Sequence, residues 1–85
     1  MLYGIQTQNQ EHWVNGIILP TVYPDFDTAY ACAVKMAEDK VQSLTERGYD
    51  AKVWTYLRCV EVDVYGVDDH DVDSVFNIID FKIDN

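Results

Sequence analysis

One apolar stripe constrains this chain more than any other feature. Ala29, Ala33, Met36, Ala37, Val41 and Leu44 recur at three- and four-residue spacing, the period of a helix that buries one side. Tyr30 and Cys32 stand at its margins, while Lys35, Glu38, Asp39, Gln42, Ser43 and Glu46 fall outside it. Both ends are marked. Asp27 is a suitable N-cap, since its carboxylate can accept from the unpaired N–H groups of the first turn. Phe26 and Ala31 are placed for a small hydrophobic staple, and Asp25 and Asp27 suit the positive end of the helix dipole. At the far end Gly48 can take the left-handed position after the last turn, which spaces Leu44 and Tyr49 for the apolar contact of a Schellman motif. Arg47 has the favourable sign there. The stretch from 26 to 49 is therefore predicted as one long helix lying on a sheet. Met36 and Leu44 would be its larger knobs, each contributing roughly 1.5–3 kcal/mol if fully buried.

The flanks read as strands. Leu2 to Gln8 alternates, with Tyr3, Ile5 and Thr7 on one side and Gly4, Gln6 and Gln8 on the other. After the polar turn Asn9-Gln10-Glu11, a short strand is expected near residues 12–18, where Asn15-Gly16 is either a type I′ hairpin signal or a bulge. Pro20 and Pro24 bracket an extended connection into the helix, since proline cannot join a central strand. Beyond Gly48, residues 51–65 are rich in β-branched and aromatic side chains and read as one long strand. Its apolar phase moves from odd positions (Ala51, Val53, Leu57, Cys59) to even ones (Val60, Val62, Val64), which predicts a bulge near Cys59-Val60 or a strand that outruns the helix. Gly66 to Asp73 reads as an acidic loop. Ser74 to Asp84 reads as a last strand, with Val75, Ile79, Phe81 and Ile83 on one face and Phe76, Ile78, Asp80 and Lys82 on the other. The expected architecture is α+β: a two-layer domain of β-β-α-β-β order, an antiparallel sheet with one helix on one face.

One helix covers one side of a sheet. The other side is expected to carry Trp54, Tyr56, Val60, Val62, Phe76 and Ile78, with Arg58 among them. Monomers rarely expose so large an apolar patch, and Tyr, Trp and Arg are enriched at binding hot spots. Either another molecule covers that face, a symmetric homodimer being the simplest, or the N-terminal strands or the Pro20–Pro24 segment curl over it.

At 85 residues a single domain buries only about 60–65% of the unfolded chain's surface, so a partner or a dimer is a common remedy. No run approaches the roughly 18 apolar residues of a membrane span, and no basic segment leads into an apolar one as in a signal peptide. Cys32 and Cys59 lack metal spacing and read as buried thiols of an intracellular, cytoplasmic protein.

The net charge is −9, from 15 acids and 6 bases. From Val60 onward stand Glu61, Asp63, Asp68, Asp69, Asp71, Asp73, Asp80 and Asp84, with Lys82 as the one base. Direct contact with nucleic acid is disfavoured, because neutralising phosphates supplies most of such affinity. A basic protein surface is favoured by the same field.

Chemical motifs are sparse. Asp69, Asp71, Asp73 and Asp80 imitate the first, third, fifth and twelfth ligands of a calcium loop, but Ser74 stands where the sixth-place glycine is needed and no helices flank it. His70 among carboxylates falls short of the four ligands of a structural zinc site, and His12 beside Trp13 reads as a strand residue. Ser43 and Ser74 have no partner at a telling spacing, neither cysteine has a basic neighbour, and the isolated Gly4, Gly16, Gly48 and Gly66 form no phosphate loop. Neither a cofactor nor a catalytic centre is expected. The candidate partner-binding set is Trp54, Tyr56, Arg58, Glu61, Asp63, Asp68, Asp69, Asp71 and Asp73.

In size, charge and layout the whole chain resembles the small acidic proteins that phages encode against bacterial defences, the anti-CRISPR and DNA-mimic inhibitors. That resemblance implies stoichiometric binding to a host nuclease or its complex in the host cytoplasm. Asp68, Asp69, Asp71 and Asp73, with Glu61 and Asp63, would stand in for phosphates.

Overall fold

The computed structural model describes residues 1–9, 13–14 and 16–81. The helix, α1, spans Phe26–Glu46, and its cap is Asp25 rather than Asp27. Asp25 has extended backbone, φ −142° and ψ 161°, and its Oδ1 accepts from the Thr28 N–H at 2.7 Å. That frees Asp27 to sit in the first turn beside the dipole's positive end. Phe26 is thereby inside the helix instead of stapling it from outside; its ring meets Tyr3 edge-on at 5.9 Å and stacks on Tyr30 at 5.8 Å. At the other end the Schellman bonds form as the spacing predicts. Tyr49 N–H donates to the Leu44 carbonyl at 3.0 Å and Gly48 N–H to the Thr45 carbonyl at 3.0 Å, with Gly48 at φ +92°.

Five strands follow the order β2-β1-β5-β4-β3 in one antiparallel sheet. They are β1 (Leu2–Asn9), β2 (Ile17–Ile18), β3 (Asp50–Thr55), β4 (Cys59–Tyr65) and β5 (His70–Phe81). The α+β two-layer class holds, with one strand more than the expected order. Residues 51–65 are two strands, not one. Tyr56 N–H donates to the Cys59 carbonyl at 2.9 Å, closing a hairpin at Leu57-Arg58, and Thr55 pairs with Val60. The shift of apolar phase is this reversal of direction. A bulge does exist, but in β5: Val62 pairs with Ser74 and Asp63 with Val72, so Asp73 is the extra residue. The final strand begins at His70, which shortens the acidic loop to Gly66–Asp69. β2 is shorter than expected, and the positions Gln10, Glu11, His12, Asn15 and Lys82–Asn85 lie outside the described residues.

Ala29, Ala33 and Ala37 are fully buried on α1, with Leu44 beyond them. They face Ile5, Val60, Val62, Phe76 and Ile78, and the short alanine side chains bring the helix axis close to the sheet. Met36 and Val41 are only half-buried, so the β-branched residues of the sheet, not methionine, supply the bulk. Ile5, Val60 and Val62 are fully sealed, each contributing roughly 1.5–3 kcal/mol.

This packing overturns the expected exposure of the closing hairpin. Val60, Val62, Phe76 and Ile78 lie under the helix; Trp54 and Tyr56 remain about half exposed, at 47% and 50%. The uncovered face is the complementary set, including Glu61, Asp63 and Tyr65 of β4 and their neighbours in register.

Candidate functional site on the uncovered face

Strand alternation puts Glu61, Asp63 and Tyr65 on the side away from α1. Across from them in register stand Trp54, Lys52 and Asp50 on β3, and Val75, Val72 and His70 on β5. Side chains then converge. Trp54 Nε1 donates to the Tyr65 hydroxyl at 2.6 Å, drawing both rings over the middle of the hairpin. Tyr65 stacks on His70 with centroids 5.5 Å apart, and Lys52 Nζ lies 5.2 Å from the Tyr65 centroid. The Tyr56 hydroxyl reaches back to Glu61 Oε2 at 3.4 Å.

Two carboxyls sit inside this aromatic rim. Asp63 is only 5% exposed, and its Oδ1 is buried with no hydrogen-bond partner among the described residues. Burial pushes the Glu61 carboxyl above its ordinary value, and the neighbouring Asp63 adds to this; the Tyr56 hydroxyl and His70 pull the other way. The Glu61 charge in turn raises the Tyr56 phenol. Burial, then Glu61, raises the Cys59 thiol, so Cys59 is held in its less nucleophilic form. Cys32 and Cys59 are both half-buried free thiols.

The remaining expected site residues are dispersed. Arg58 does not join Trp54 on the uncovered face. Its guanidinium pairs with Asp80 at 2.8 Å and lies 5.5 Å from the Phe26 centroid, on the helix side, where Tyr3, Phe26, Leu57, Arg58 and Asp80 line a cavity of about 390 Å³. Asp68 and Asp69 occupy the exposed turn, closed by the Gly66 N–H on the Asp69 carbonyl at 2.7 Å. Asp71 is exposed opposite Val64. The bulge turns Asp73 toward the helix, where it meets Lys40 Nζ at 3.8 Å and accepts from Ser74 Oγ at 2.6 Å. Asp68, Asp69 and Asp71 have no ion pair within 4.0 Å among the described residues.

Asp80 sits at the opposite end of β5 from Asp69, engaged with Arg58, so the calcium-loop spacing does not close in space. No group of three or more ligating side chains converges among the described residues. Sequence reasoning missed Lys52, Tyr65 and the stacking of His70. Tyr65 and His70 are the closing pair of the Gly66–Asp69 turn, a relation that appears only once that loop is cut to four residues.

No helix among the described residues is long and apolar enough to cross a membrane. No protein-family model, no curated protein and no solved structure matches the chain.

Proposed function

We propose that this protein is a binding module, not a catalyst, that engages a basic protein surface through its carboxylates. The observation that carries the reading is the set of acids that form no ion pair among the described residues: Asp68 and Asp69 at the turn, Asp71 just beyond it in β5, and Glu61 and Asp63 behind the aromatic rim. A net charge of −9 adds long-range attraction to cationic surfaces. A surface that normally holds nucleic acid fits this role, the carboxylates replacing phosphates, and the protein would act as a stoichiometric inhibitor in the cytoplasm of the cell where that partner works. A homodimer through the uncovered face would rest on Trp54 and Tyr56, since the other residues of its expected interface, Val60, Val62, Phe76 and Ile78, pack under α1.

The test is capture of a basic, nucleic-acid-binding partner at low and high salt. Binding should fall steeply with ionic strength. Asp68→Asn combined with Asp69→Asn and Asp71→Asn should weaken it, and the captured partner should lose its nucleic acid. Binding indifferent both to salt and to these substitutions would refute the proposal.

A further inference from the structure

A buried carboxylate oxygen without a donor loses its hydration uncompensated, so Asp63 Oδ1 is a standing demand for a hydrogen-bond donor. It lies on the same side of β4 as Glu61, two residues away, and the register puts Lys52 of β3 and Val72 of β5 on either side. Lys52 does not meet the demand: its ammonium is over the Tyr65 ring and makes no ion pair within 4.0 Å among the described residues. A cation is therefore already drawn to this rim by an aromatic face, while the carboxyls beside it form no ion pair among the described residues. The rim offers two further ring faces at half-exposed positions, Trp54 and Tyr56.

We infer that the Glu61–Asp63 carboxyl pair, rimmed by Trp54, Tyr56 and Tyr65, is a receptor for a single arginine side chain of the partner. This deepens the proposed function and rests on it. Three features favour guanidinium over ammonium. Its planar fork can satisfy two carboxyls at once. It stacks on aromatic faces. It gives up its weaker hydration more readily on entering a partly buried site. Entry displaces Lys52 from Tyr65 toward solvent and supplies the missing donor to Asp63.

Charge around the pair sets the pH response. Lys52 faces it from β3, His70 from β5, and Tyr56 and Tyr65 from the rim. Guanidinium binding requires the ionised pair, and Glu61 holds its proton to a higher pH than an ordinary glutamate. Affinity should therefore rise as pH is raised from the ordinary carboxylate range toward neutrality, and the acid limb should flatten in Glu61→Gln but persist in His70→Gln.

The experiment is a titration of the full chain, followed by NMR, with a blocked Gly-Arg-Gly peptide, its Gly-Lys-Gly counterpart and one carrying uncharged citrulline. The arginine peptide should shift the Trp54 indole signal and leave that of Trp13 in place, with a Kd of about 1 mM. Glu61→Gln should weaken it about tenfold, the loss of one charge-assisted hydrogen bond, whereas Asp68→Asn/Asp69→Asn should change it less than about twofold. Equal response to citrulline, equal affinity for lysine, or an unaffected Glu61→Gln variant would overturn the inference. So would shifts confined to the Asp68–Asp71 region, an outcome that leaves the broader acidic-binding proposal standing. Loss of that broader proposal would appear separately, as salt-indifferent capture of the basic partner.

Discussion

The two faces of the sheet are made from the same strands and do opposite things. On the covered face Ile5, Val60, Val62, Phe76 and Ile78 interlock with an alanine-lined helix, and polar groups are nearly excluded. On the uncovered face the intervening residues of β4 are Glu61, Asp63 and Tyr65, and aromatic rings from β3 and the hairpin turn partly shelter them. An antiparallel sheet with one solvated face ordinarily shows polar residues there; this one shelters two of its carboxyls. The difference puts the packed core on one side of a single layer and two partly sheltered carboxyls on the other.

The largest test of that division is a pair of truncations. Phe76→Ala should cost roughly 3–5 kcal/mol in urea unfolding, as a cavity in a packed core does. Trp54→Ala should cost less than about 1 kcal/mol, as at exposed positions, while weakening arginine-peptide binding. Equal losses of stability would mean the uncovered face is a second core.

A smaller effect is expected at Gly4, where the Phe81 ring lies over the backbone so that an added Cβ would collide with it. Gly4→Ala should destabilise by about 1–3 kcal/mol. Combining it with Phe81→Ala should relieve the collision, giving a non-additive double-mutant cycle. Additive losses would show that the ring does not hold this part of the uncovered face.

The smallest effect concerns Glu61. A carboxyl raised in the folded state contributes stability that is complete below its unfolded value and lost as pH rises through the folded one. Glu61→Gln should therefore be more stable than wild type near neutrality, by under about 1 kcal/mol at this partly solvated site, and equal to it in acid. A stability difference independent of pH would remove the burial of Glu61 from the account.

Much of the fold was legible along the chain, and the failures have local causes. The helix and its Schellman end follow from spacing and from Gly48. The cap was misplaced by two residues because Asp25 and Asp27 are chemically alike; the extended backbone at Asp25, just after Pro24, decided between them. The hairpin at Leu57-Arg58 was missed because its turn contains no glycine, asparagine or proline, and no non-glycine among the described residues has a positive φ, so the usual sequence marks of a primed turn were absent. That omission carried over to the site. Read as one strand, residues 51–65 place Val60 and Val62 beside Trp54; folded back, they place Glu61 there. The acids of the turn were found where the charge run put them, whereas Asp73 was turned aside by a bulge that no residue type announced.

Composition and periodicity along the chain settled that there would be one helix, that it would bury an alanine stripe, and that the strands would sort their residues into two sets. Which set met the helix was settled only in three dimensions. Alternation with a period of two is symmetric between the faces of a strand, so it separates Val60 from Glu61 without saying which lies inside. The choice came from pairing β4 between β3 and β5, which aligns Val62 with Val53 and Val60 with Phe76 to form a continuous apolar surface for α1, and leaves Asp63 on the other side with an unanswered oxygen.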